Sequence, residues 1–371
     1  MKLKLIKYIK IILGFFYSLL KPGKAKKDFN NLAEQKKNQK AIITFDYELF
    51  LGKDSGTCEK SLIEPANKIR DVLIKHKAKA IFFVDTTYIL HLKKNNHPDY
   101  KKIENQLIDL VKNNNSIELH LHPHWLDAKP LVKDRWYFTS HEKYRLHSLT
   151  EKEIEKIFSE GSNLINSIYK KAKTNQKVSA FRAGGWSIMP FSPIIKKNFI
   201  KTKIKFDFSV IAGEKKLELP NHYYDYSNVD KKKNYWQFSK EPVIIDKEGF
   251  FTEIPVATAK FSIIYRLISR YIRRYMNYYG DGKGMSRIRT ENKIIVYLKE
   301  LKRNYTPIYI DSYYPFFFNS LLRKVKQKEI VTLVGHPKTM SSIALKNLEL
   351  VCKRYKTLNI ADLKKEFISN K

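Results

Sequence analysis

Short apolar runs alternate with longer amphipathic stretches through most of the chain. AIITFDYE (41–48) is an apolar run ending in acids, and apolar spacing from Leu62 to His76 predicts a helix after it. AIFFVD (80–85) predicts a second strand, followed by a helix through QLIDLVK, and SIELHLH predicts a third strand. LTEKEIEKIFSEGSNLINSIYKKA is a long amphipathic helix whose Thr150 and Glu153 are spaced as a capping box. VSAFRAGG (178–185) predicts a fourth strand, and FDFSVIAG, PVIID, FFTEIP, PIYID and IVTLVGH predict further short ones. Strands alternating with helices predict an α/β protein with a parallel sheet, and this many predict a (β/α) barrel.

Two segments break that rhythm. Residues 1–38 carry lysines at 2, 4, 7 and 10, an apolar run from Ile11 to Leu20, and then a polar, lysine-rich linker. The run is shorter than the roughly 20 residues of a membrane-spanning helix. A basic helix lying in a membrane surface fits it; a signal peptide is the alternative, although no small-x-small cleavage pattern follows. The expected location is therefore a membrane surface at its cytoplasmic face, with export as the alternative. The second segment, near 258–290, reads as a basic helical insertion in a barrel domain of residues 39–371. Its predicted apolar stripe is Phe261, Ile264, Leu267, Ile268, Tyr271 and Tyr275, with arginines at 266, 270, 273 and 274 on other sides.

Composition narrows the class. Apolar residues make up 43%, enough for a large core, and the two cysteines form no disulfide framework or metal knuckle. The net charge of +34 reads first as a lysine-rich solvated surface, and second as a surface that favours anionic partners, whether membrane, acidic polysaccharide or nucleic acid. No zinc finger, RNA-binding motif or basic coiled coil is present, so nucleic acid is not the expected partner.

Chemistry-bearing residues gather where the apolar runs end. TFDYE brings Asp46 and Glu48, FRAGG brings Arg182, Gly184 and Gly185, and LVGHP brings His336. SIELHLHPHWLD sets His120, His122 and His124 on alternate positions, three of only ten histidines in the chain. Neutral imidazole is the commonest metal ligand, and C-terminal strand ends form the catalytic face of a (β/α) barrel. Period two puts His120 and His122 on one strand face; His124 joins them only if the strand continues past Pro123.

Together these motifs, over roughly residues 40 to 340, resemble the polysaccharide deacetylases of carbohydrate esterase family 4, metal-dependent amidases on a distorted (β/α) barrel of the glycoside hydrolase/deacetylase type. The family's first motif is threonine-phenylalanine-aspartate-aspartate. The resemblance puts its catalytic base at Asp46 and leaves Tyr47 where the family has an aspartate metal ligand. Some relatives carry that acid one residue later, which makes Glu48 the candidate ligand. The family's two histidine ligands, at i and i+4, fall on His120 and His124. We take that pair, with His120 and His122 as the alternative that strand geometry favours. The arginine motif falls on Arg182, with Gly184 and Gly185 replacing a proline-tyrosine, and the last motif puts the catalytic acid at His336. The departures at Tyr47 and Gly184–Gly185 mark an outlying subgroup.

The residue types point to the same chemistry without the resemblance. Amide hydrolysis needs a nucleophilic water, a stabilised oxyanion and a proton for the amine. A divalent ion, expected to be Zn²⁺, on two histidines and a carboxylate keeps positions open for water and acyl oxygen. Asp46 would deprotonate the water, and its spacing from Glu48 puts both carboxylates on one face. The N–H of Gly185 would help hold the oxyanion, at a position where glycine lets backbone approach substrate. His336 would protonate the amine, Arg182 would pair with Asp46, and Asp207 or Asp311 could orient His336. The expected function is a metal-dependent hydrolase that removes an acetyl group from an N-acetylated sugar in a surface polysaccharide or lipid-linked glycan. The aromatic cluster at 221–238 could be a sugar platform. The alternative, kept alive by Tyr47, is an inactive barrel that binds glycan or anionic membrane.

Overall fold

Period-two alternation decides which side of the sheet each residue faces. The computed structural model describes residues 39–132, 134–140, 142–219, 222–284 and 305–367, so the expected N-terminal segment lies outside them. The first strands are β1 (Lys40–Tyr47), β2 (Ile81–Asp85), β3 (Ser116–Leu121), β4 (Ala128–Pro130) and β5 (Trp136–Phe138). There follow β6 (Ala180–Ala183), β7 (Phe206–Asp207), β8 (Lys215–Glu218), β9 (His222–Asp225) and β10 (Trp236–Phe238). The last are β11 (Phe251–Glu253), β12 (Thr258–Lys260), β13 (Tyr305–Pro307), β14 (Ile330–Gly335) and β15 (Lys356–Thr357).

The main sheet runs in the order β10-β11-β7-β6-β3-β2-β1-β14, with β15 also paired to β1. Every pairing in it is parallel except β10 with β11. The sheet curls around its inner face. Ile43, Phe45, Tyr47, Phe82, Val84, Leu119 and Phe181 pack outward in the larger hydrophobic cluster, against helices such as Glu64–Lys75 and Glu151–Lys171. Ile42, Ile81, Phe83, Ala180 and Phe206 pack inward in a smaller cluster, closed below by Leu358, Ile360 and Leu363. Toward the C-terminal ends of the strands, the inward positions turn from apolar to polar.

The ladder does not run continuously around a barrel. Val256 N–H donates to the Val210 carbonyl (2.9 Å) and Ala257 N–H to the Thr332 carbonyl (3.0 Å), so single bonds bridge the gap. Pro255 and Pro307 supply no N–H there, which breaks any regular ladder. PVIID is a turn rather than a strand, with Ile244 and Ile245 exposed. The antiparallel pairs β4–β5 and β8–β9 were not foreseen. In the insertion, Phe261, just before the helix Ile263–Ile272, and Ile268 within it are buried, but Ile264 and Tyr271 of the helix and Tyr275 after it are exposed, so the expected stripe is split; the side chain of Leu267 lies outside the described residues. Among the described residues, no helix is long and apolar enough to cross a membrane.

The base of the curl holds a buried acid. One oxygen of Glu118 accepts from the N–H groups of Ser179 and Ala180, both at 2.7 Å, and the other accepts from the Tyr169 hydroxyl at 3.2 Å. Burial pushes its pKa up to about 7, more than these bonds offset. The folded state thus holds this proton at pH values where the unfolded chain has lost it. The stability this group contributes is therefore full below about pH 4.5 and falls as pH rises toward 7. Glu118→Gln keeps the acceptor for both amides. It should gain stability over the parent protein at pH 8 and not at pH 4.5, read as the difference in urea midpoints.

Candidate active site

The inward positions near the strand tops converge on one cleft of about 710 Å³. Asp46 and Glu48 line it because they share a face of β1 and its extension. Tyr47 points the other way: it is buried, and its hydroxyl donates to Gln106 Oε1 at 2.7 Å. It therefore does not occupy the site. The next carboxylate on the inward face after Asp46 is that of Glu48.

His120 faces the cleft from the last turns of β3, in register with Asp85 on one side and Arg182 on the other. Its Nδ1–H donates to the Arg182 carbonyl at 2.7 Å, which leaves Nε2 with its lone pair aimed at the cleft. His122 Nε2 lies 2.9 Å from that atom and contacts Glu48 Oε2, while Glu48 Oε2 is 3.3 Å from His120 Nε2. Glu48, His120 and His122 thus bring one ligand atom each to a common point. His124 does not join them. Pro123 opens a 3₁₀ turn over Pro123–Asp127, which ends the alternation. The His124 ring instead lies flat over Tyr144 (centroids 5.6 Å apart) and edge-on to Phe138 (4.5 Å). The structure gathers His120 with His122, the pair that strand geometry favoured, rather than the i and i+4 pair.

Lys338 was not foreseen. Its Nζ donates to Glu48 Oε1 (2.8 Å) and to the Leu49 carbonyl (2.7 Å). Burial would raise the Glu48 pKa, but Lys338, His122 and His120 outweigh it and hold this carboxyl well below the usual range. The signal available in the sequence was its place two residues after His336, in GHPK.

Asp46 has two neighbours. Arg182 Nη1 contacts its Oδ1, and His336 Nε2 lies 3.6 Å from its Oδ2. Arg182 is fully buried: Nη2 donates to Thr44 Oγ1 (2.9 Å), Nε to the Phe208 carbonyl (3.2 Å), and its guanidinium lies 4.2 Å from the Phe83 ring centroid. His336 Nδ1 pairs with Asp311 Oδ2 at 2.8 Å, and that oxygen also accepts from the His336 backbone N–H at 3.0 Å. Burial alone would lower the His336 pKa; Asp311, with Asp46 and Glu48 behind it, raises it. Asp311 is the residue that orients His336. Asp207 is turned instead toward the Ser209 hydroxyl (2.7 Å) in the buried interior.

Gly185 also lines the cleft, with φ of 61°. A Cβ there would meet Tyr144 Cε1 at 2.4 Å, so the ring of Tyr144, as well as the left-handed backbone, excludes a side chain. His222 Nδ1–H donates to the Gly185 carbonyl at 3.0 Å. Of the aromatic cluster at 221–238, Tyr224, Tyr226 and Trp236 are buried, and among its described residues His222 alone lines the cleft. Tyr144 and Trp186 join the wall without any sequence signal that pointed to them, and Arg273 comes from the basic insertion whose arginines the sequence had singled out.

No family model matches the sequence, and no curated protein does. Among solved structures, the chain is similar to a candidate polysaccharide deacetylase from Mycobacterium smegmatis (10% identity, 91% of this chain and 92% of that one, TM-score 0.47). It is similar to a CE4 family pseudoenzyme from Bacillus anthracis (13% identity, 88% of this chain and 65% of that one, TM-score 0.39). It is also similar to a peptidoglycan deacetylase from Bacillus subtilis (19% identity, 46% of this chain and 57% of that one, TM-score 0.25). These likenesses, all at low identity, are thus to proteins described as deacetylases and to one described as a CE4 family pseudoenzyme.

Proposed function

We propose that the chain is a metal-dependent hydrolase that removes an acyl group from an N-acylated sugar, on a fold read as a distorted (β/α) barrel. One observation carries this reading: Glu48 Oε2, His120 Nε2 and His122 Nε2 converge within 4.8 Å of one another, beside a carboxylate held by arginine and a histidine held by aspartate. The donor set fits a divalent ion. Two imidazole nitrogens at 2.9 Å from each other have no reason to meet unless a cation or a shared proton sits between them and the carboxylate. Two nitrogens and one oxygen suit Zn²⁺. Such an ion supplies a Lewis acid for the acyl oxygen and lowers the pKa of a water.

The protein's own groups do the rest. Asp46, held by Arg182, accepts the proton of the attacking water. His336, its Nδ1 engaged by Asp311, presents Nε2–H to the departing amine nitrogen. The N–H of Gly185 is the candidate second donor to the oxyanion. Tyr47, which motivated the inactive alternative, lies outside the cleft and takes nothing from this set. The substrate is read as a polysaccharide or lipid-linked glycan close to an anionic membrane; the segment that would hold the chain there, residues 1–38, is outside the described residues.

The test is acetate release from chitotetraose by the zinc-loaded protein, with His336→Ala alongside. That variant should lose about 10²-fold or more on the amide. It should lose far less on 4-nitrophenyl acetate, whose leaving group needs no proton. No acetate from the parent protein, or equal losses on both substrates, would sink the assignment.

A further inference from the structure

The cleft holds several charges, and their pairing is uneven. Asp46 contacts Arg182, Glu48 is bound by Lys338 at 2.8 Å, and Asp311 is bound by His336 at 2.8 Å. Arg273 differs. It follows the helix Ile263–Ile272 and lines the cleft with His336 and Lys338. Its Nε donates to the Tyr278 hydroxyl at 3.0 Å. Among the described residues, no carboxylate lies within ion-pair distance of it: Asp311 acts on it only from farther away and is already bound by His336, and Glu218 of the lining makes no ion pair with it. Tyr278 holds one edge of the guanidinium, so the side chain is positioned while its Nη groups are left for a ligand. A divalent ion at Glu48, His120 and His122 would add two further positive charges to the same cleft.

We infer that Arg273 reads an anionic group, a carboxylate or a phosphate, carried by the sugar whose acyl amide is cleaved. This rests on the hydrolase reading above and narrows its substrate class. A guanidinium presents a planar fork of donors that matches both anions bidentately. Lys338 cannot serve in its place, because its Nζ is committed to Glu48 and the Leu49 carbonyl. The net charge of +34 acts in the same direction, by raising the local concentration of anionic glycans.

The experiment is calorimetric titration of the full chain without added metal, so that binding is read apart from turnover. One pair of probes is a tetrasaccharide of alternating N-acetylglucosamine and glucuronate against chitotetraose. The other is N-acetylglucosamine 1-phosphate against methyl N-acetylglucosaminide. The charged member of one pair should bind about tenfold more tightly or better, as for a charge-assisted bidentate contact; which pair responds separates carboxylate from phosphate. Arg273→Gln should erase the preference while keeping the affinity for the neutral probe, and Arg273→Lys should keep part of it. Equal binding of charged and neutral probes by the parent protein would overturn the inference, and so would a preference that survives Arg273→Gln. Selective binding without acetate release in the metal-loaded protein would instead overturn the hydrolase reading and leave the anion site standing.

Discussion

Asp46→Asn is expected to bind metal as the parent protein does and to lose turnover by roughly 10²–10⁴-fold, the range of a general base. The substitution is nearly isosteric, so the contact with Arg182 survives through the amide oxygen. The other edge, which lies 3.6 Å from His336 Nε2, becomes an NH₂ that cannot accept a proton from water. The loss should therefore fall on kcat, with KM little changed. Metal content by mass spectrometry and steady-state kinetics on the same preparation check it. Full turnover in the Asn variant would remove Asp46 as the base. Metal lost together with turnover would make Asp46 a ligand, a role its place beside Glu48 and His336 makes worth excluding.

The metal itself gives the second large effect. His120→Ala and His122→Ala should each weaken zinc binding by more than about 100-fold, since even the loss of a residue that merely supports a ligand costs about 10–100-fold. His124→Ala should retain the ion, because its ring packs on Tyr144 and Phe138. The three variants discriminate between the strand pair and the i and i+4 pair. Zinc retained by His122→Ala and lost by His124→Ala would mean that the loop after Pro123 rearranges on loading. Circular dichroism before titration separates loss of metal from loss of fold in these buried positions.

Alternation was legible along β1, β2, β3 and β6 because their outward residues are apolar and their upper inward residues are polar. A strand's period of two then places Asp46, Glu48, His120, His122 and Arg182 on one face without further information. The long helix Glu151–Lys171 was legible for a similar reason: its Thr150 and Glu153 form the expected reciprocal cap. After residue 204, β7, β11 and β14 fall within the predicted runs FDFSVIAG, FFTEIP and IVTLVGH, whereas β10, β12 and β15 were not legible. Strands of two or three residues carry too little periodicity to stand out, and PVIID has the composition of a strand in a segment that tertiary packing turns.

Which histidine joins His120 depended on where regular pairing stops, and Pro123 sets that point only in the context of the turn it opens. Lys338, Tyr144 and Arg273 reach the cleft across 290, 96 and 225 residues of sequence from Glu48. No local pattern encodes such meetings, because they follow from how the sheet curls and which loops close over it. Local alternation along each strand was enough to nominate the candidate residues; the curl of the sheet decided which of them meet, with which counter-charges and walls, because contacts between residues far apart in sequence exist only once the layers have packed.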